Sequence, residues 1–177
     1  MKILKTFMAV CLLFISIGVT AQNDKDKQVI SDAEKAKTTL LEKDAGLEKF
    51  LDTSAGYVIF PNVGKGALII GGATGNGVVY ENEQIIGMSK LMNLSLGLQA
   101  GGESHIEIIF FETQKALDEF KEGNFEFSAR LSAVAADKGV SKDADYNDNV
   151  LVVTMPKVGL MADTSVGGQK FTFHPFK

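Results

Sequence analysis

From Ile30 to Leu51 the apolar positions fall on one helical stripe: Ile30, Ala33, Ala36, Leu40 and Leu41, then Leu47, Phe50 and Leu51. Ser31 or Asp32 is the expected cap, with Glu34 three residues after Ser31 completing a capping box. Asp44-Ala45-Gly46 is expected to break the stripe into two helices. The other face carries Lys35, Lys37, Glu42, Lys43, Glu48 and Lys49, a mixture that reads as a solvated face or as a helix lying on a membrane surface.

From Ala55 the period changes. Short apolar runs alternate with glycines through Gly102, a density no helix tolerates, since an interior Gly costs about 1 kcal/mol against Ala. Strands are expected at Tyr57 to Pro61, Ala67 to Ile70, Gly77 to Tyr80 and Gln84 to Met88, with Glu81-Asn82-Glu83 as a hairpin turn. Met92 to Ala100 alternates apolar and polar positions with period two. His105 to Phe111 follows, with Ile106, Ile108 and Phe110 on one face and His105 and Glu107 on the other. Thr113 should cap a short helix, Gln114 to Lys121, that points Leu117 and Phe120 inward. Further strands are expected at Phe125 to Ala133, Val150 to Met155, Gly159 to Ala162 and Lys170 to His174. The fold class is therefore α+β. About eight short, mostly hairpin-linked strands form a strongly bent antiparallel sheet or partial barrel, and amphipathic N-terminal helices cover one open face or edge.

Ahead of this region, Lys2 and Lys5 precede a short apolar run, Phe7 to Val19, and Val19-Thr20-Ala21 offers small residues at a cleavage site. Residues 1–21 are read as a removable signal peptide, 22–29 as a polar tether and 30–177 as one domain, placing the protein in the periplasm or outside the cell. Cys11 lies inside the apolar run, so the mature chain has no cysteine for disulfides, thiol chemistry or metal binding. Losing Lys2 and Lys5 leaves 16 basic against 22 acidic residues, a net charge of −6. That balance argues against nucleic acid and against simple electrostatic adsorption to anionic membranes.

Little in the chain carries catalytic chemistry. Gly71-Gly72-Ala73-Thr74-Gly75-Asn76-Gly77 lacks the Lys-Ser/Thr pair and the following helix of a phosphate loop, so these glycines read as turns and bulges. No Gly-x-Ser-x-Gly elbow is present. The aspartates of the Ala135 to Asn149 loop do not match the spacing of a calcium-binding loop. His105, Glu107 and, from a neighbouring strand, Arg130 form a candidate polar cluster. Its functional reading is a hydrolase and its structural one a buried polar group. No cofactor and no metal site are expected.

A resemblance is carried by Tyr57-Val58-Ile59-Phe60-Pro61, Gly64-Lys65-Gly66, Gly71-Gly72, Gly77-Val78-Val79-Tyr80 and Leu98-Gln99-Ala100-Gly101-Gly102. Ile108-Ile109-Phe110-Phe111, Gly123-Asn124-Phe125-Glu126-Phe127-Ser128 and Gly159-Leu160-Met161-Ala162 continue it in the same order. From about Ile30 to the C-terminus the chain resembles the bacterial, exported branch of the SYLF domain family. The resemblance implies a lipid-binding module of the cell envelope without enzymatic activity, whose partner is a lipid or membrane surface. In the eukaryotic members of that family a basic amphipathic N-terminal helix contributes to the membrane contact. Carried onto this chain, that role falls on Ile30, Lys35, Lys37, Leu40, Leu41, Lys43, Leu47 and Phe50, with acidic neighbours Asp32, Glu34, Glu42, Asp44 and Glu48 offsetting the lysines. The competing readings are an envelope protein-interaction or assembly factor and the hydrolase built on His105, Glu107 and Arg130.

Overall fold

The computed structural model describes residues 24–64, 73–93, 104–123, 134–135, 140–157 and 168–176. Helix α1 occupies residues 24–43. It begins upstream of the expected cap, so Ser31 and Asp32 lie within it, and it takes in residues 24–29 of the expected tether. Exposed side-chain pairs extend it backwards: Asp24 with Lys27 at 3.6 Å, Gln28 donating to Asp32 at 3.0 Å, and Lys35 with Asp32 at 3.3 Å. Each spans three or four residues, the spacing that brings helical neighbours together.

The expected break falls at Asp44, whose backbone is extended. A 3-10 turn, Ala45–Leu47, then leads into α2, Glu48–Thr53. Asp44 is buried and holds the break to a distant loop. Its Oδ1 accepts from Gly46 N and Ser141 Oγ, both at 3.0 Å, and its Oδ2 accepts from Ser141 N at 2.8 Å. Burial alone would raise the carboxyl pKa, but the bonds from Ser141 and Gly46 outweigh it and hold Asp44 below its ordinary value. Lys49 Nζ completes the junction by donating to Ser141 O at 2.6 Å.

The strands are β1, Gly56–Gly64; β2, Ala73–Glu81; β3, Gln84–Asn93; β4, Ser104–Phe111; β5, Val134–Ala135; β6, Val150–Pro156; and β7, Gln169–Pro175. Helix α3, Gln114–Lys121, starts at Thr113, whose side chain accepts from Ala116 N at 3.3 Å, as expected. The sheet order is β5-β6-β4-β1-β2-β3-β7. Six strands pair antiparallel and the two-residue β5 joins β6 in parallel. Among the described residues the sheet is open, not a closed barrel, with β5 and β7 at its ends.

The β2–β3 hairpin turns at Asn82 and Glu83, with φ of 50° and 62°, the paired positive values of a type I′ turn. Met92 belongs to the same strand as Gln84 to Met88 instead of opening another. Expected strands at Ala67 to Ile70, Phe125 to Ala133 and Gly159 to Ala162, and the rest of Met92 to Ala100, lie outside the described residues. The mostly hairpin-linked order expected from sequence needs correction. After β3 the chain returns to the far side of β1, where β4 and then β6 add on. These three strands are apolar on both faces, so grouping them between helices buries both.

The N-terminal helices cover one face, as expected, and α3 covers the other. Toward α1 and α2 the sheet presents Tyr57, Ile59, Val78, Ile106, Ile108, Phe110, Leu151 and Val153. Toward α3 it presents Val58, Phe60, Val63, Val79, Leu91, Ile109, Phe111, Val150, Val152 and Phe171. Pro61 sits where β1 changes register against both neighbours, so its missing N–H falls in a bulge within a central strand.

The sheet curls tightly toward α3. Flat, β1 and β7 would lie three strand spacings apart, about 14 Å. Instead the Phe60 and Phe171 ring centroids are 5.9 Å apart, and Phe171 is 5.4 Å from Phe120 of α3. Gly77 makes room for this: a Cβ there would stand 2.6 Å from the Phe60 ring and 2.9 Å from Ile59 O.

Candidate functional site

Helix α1 lies with its apolar stripe on the sheet. Leu40 and Leu47 are each 2% exposed and Phe50 is 5% exposed, all within the core on that face. Ile30 and Leu41 are half-buried at its margin, while Lys35 and Lys43 are exposed. The stripe proposed from sequence for lipid contact is thus largely occupied by the domain's own sheet. Tyr80 fixes the docking: its hydroxyl donates to Glu34 Oε1 at 2.7 Å, and its ring stacks on Tyr57 at 4.7 Å. Burial, then the bond and charge of Glu34, drive the Tyr80 pKa far above its ordinary value. Lys37 pairs with Glu34 at 3.3 Å and places Nζ 5.5 Å from the Tyr80 ring centroid, within cation–π range.

Where α1 meets the 3-10 turn and α2, one apolar pocket remains. Lys37, Leu40, Leu41, Leu47 and Leu51 line it, with Ile108 and Phe110 from β4. Four of the eight positions chosen from the helix pattern therefore converge on one place. Its cavity volume is about 10 Å³, room for one water-sized group, far below the roughly 300 Å³ at which small-molecule pockets begin. As packed, the leucines leave space for no more than a methyl-sized group there. Leu51 belongs to the same stripe, whereas the two β4 residues were missed by sequence reasoning because only the packing of α1 across the sheet brings them there.

The polar cluster lies on the opposite face, inside the curl. His105 Nε2 is 3.3 Å from Glu107 Oε2, as their shared strand face requires. Glu107 is fully buried, whereas the His105 side chain is 17% exposed and marks where the cluster meets solvent. Arg130 lies outside the described residues. The partner that sequence reasoning missed is Gln169, whose Nε2 donates to Glu107 Oε2 at 3.1 Å. In a flat sheet β4 and β7 would stand four strand spacings apart, about 19 Å, so nothing local in the sequence signals this contact. Thr154 of β6 stands directly opposite Glu107 in the ladder. Ser104 faces the other side of β4 from His105.

Residues 92–175 match a family model described as "Ysc84: Las17-binding protein actin regulator". That span holds β4 to β7 and hence His105, Glu107, Thr154 and Gln169. A 140-residue stretch, 78% of the chain, is 23% identical to "Beta cell expansion factor A" of Aeromonas veronii, and covers 53% of that protein. The chain thus spans about half the length of the curated relative it matches.

Proposed function

Taking as premise that this chain carries a Ysc84/SYLF domain, we propose that it is an exported, non-enzymatic domain that associates with lipid at the bacterial envelope. The observation that carries the reading is the apolar pocket at the α1–α2 junction, with Lys37 beside four leucines. On this reading the leucines part to admit an acyl end, which gains about 25 cal/mol per Å² of apolar surface removed from water, with Lys37 beside it to meet a phosphate. The signal-peptide pattern of residues 1–21 supports export. Among the described residues no helix is long and apolar enough to cross a membrane, so on this reading the contact is at the surface.

Flotation with liposomes at low salt, in zwitterionic and in anionic mixtures, is the test. Co-flotation that weakens when Leu41 at the pocket margin becomes Glu is the expected result. Absence of co-flotation with every mixture removes the reading.

A further inference from the structure

The interior of the curl contains polar atoms that the fold leaves unsatisfied. Glu107 Oε1, Gln169 Oε1 and Thr154 Oγ1 are all buried and without a hydrogen-bond partner among the described residues. Their residues are 0%, 2% and 1% exposed. Such orphaned groups are costly, and more so when charged, so three together call for an occupant. Geometry groups them. Glu107 and Thr154 are directly paired across β4 and β6, which puts their Cβ atoms about 5 Å apart. Gln169 is already bonded to the other oxygen of the same carboxylate, so its own carbonyl lies one amide width away.

The chemistry of what is missing follows from the donor and acceptor inventory. A carboxylate only accepts, so Gln169 must turn its NH₂ toward Glu107 and present its carbonyl oxygen as a second acceptor. The threonine hydroxyl accepts as well. Three acceptors, one carrying the negative charge, ask for a compact cation with several N–H donors. We propose that this cluster binds a primary ammonium group, with Glu107 as the counter-charge, Gln169 and Thr154 as the flanking acceptors, and entry beside His105. A quaternary ammonium offers the same charge but no N–H, and the site should reject it. The ammonium can belong to a free amine or to an ethanolamine lipid headgroup. The cluster faces α3, away from the α1–α2 pocket, so this inference stands apart from the lipid contact proposed there.

Backbone amide NMR of the folded chain, titrated with ethanolamine and separately with choline, tests it. Saturable shifts in β4 and β7 with ethanolamine, at least tenfold weaker with choline, are expected. Glu107→Gln keeps the side-chain shape and removes the charge. It should weaken ethanolamine binding at least tenfold while thermal stability holds or rises, since an unfilled buried charge is relieved. Thr154→Val retains the carboxylate and should weaken binding about threefold, and it decides the matter if Glu107→Gln does not fold. Vesicles matched except for phosphatidylethanolamine or phosphatidylcholine identify the source. An ethanolamine preference points to the headgroup; binding of free ethanolamine without that preference points to a soluble amine. Equal response to ethanolamine and choline, or no saturable response to ethanolamine and no vesicle preference, overturns the proposal. So does unchanged binding in both variants. Flotation with phosphatidylcholine alone would leave the lipid reading standing while this one falls.

Discussion

Replacing Asp44 by Asn isolates the junction that holds α1 and α2 to the loop around Ser141. The amide is nearly the same size as the carboxylate and can keep the two bonds now made to Oδ1, from Gly46 N and Ser141 Oγ. At the Oδ2 position, however, it presents an NH₂ to Ser141 N, two donors facing each other where a 2.8 Å bond stood. Hydrogen bonds to charged groups are worth about 1.5–3 kcal/mol, and the two retained bonds lose their charge assistance. A net loss of about 2–3 kcal/mol at neutral pH is expected, lowering the melting temperature by roughly 5–10 °C for a domain of this size. The effect carries a pH signature. Asp44 has its pKa lowered by folding, so its ionised form stabilises the fold above the ordinary value near 3.8. That contribution is lost as pH falls through the folded pKa below it. Urea unfolding followed by circular dichroism should show a wide gap between wild type and Asp44→Asn near pH 7 that narrows as pH falls below the ordinary carboxyl value near 3.8. Equal midpoints at neutral pH would refute the reasoning, as would a gap that ignores pH.

Two further outcomes follow from the packing. Gly77→Ala should destabilise by about 1–3 kcal/mol in urea unfolding, because the added methyl meets the buried Phe60 ring and the Ile59 carbonyl; an unchanged midpoint would mean that the curl has slack. The chain has three tyrosines. Burial first, then nearby carboxylates, push Tyr57 and Tyr146 up to about 12, and Tyr80 is raised further. Near-ultraviolet phenolate absorbance should therefore stay flat through pH 10. Because the folded pKa values are raised, this stabilisation is whole below about pH 10 and disappears as pH climbs toward and past 12. A phenolate signal at pH 10 from folded protein would contradict the burial described.

Elements whose information is local were legible in the sequence. The break at Asp44, the cap at Thr113, the turn at Asn82-Glu83 and the facing of Ile106, Ile108 and Phe110 each depend on neighbours a few residues away. The start of α1 was misplaced because its first turns are held by exposed side-chain pairs and not by an apolar stripe. Runs such as Val150 to Val153 are readable as strands, and their lack of alternation fits the burial on both faces that the structure shows. The candidate sites divide in the same way. His105 and Glu107 meet because they are two residues apart on a strand, whereas Gln169 reaches Glu107 through the curl, and Ile108 enters the leucine pocket through the lay of α1. Neither of those contacts has a sequence period.

The curl also bears on the order in which the chain acquires its shape. Strand β7 pairs with β3 across about eighty residues, Asn93 with Gln169 and Gly87 with Pro175, and it brings the Phe171 ring that fills the space between Phe60 and Phe120. Contacts so distant along the chain are slow to form. The α3-side core therefore cannot close until β7 has left the ribosome. Through most of synthesis Phe60 and Leu91 lack their C-terminal cover, a window in which a chaperone can hold the chain unfolded.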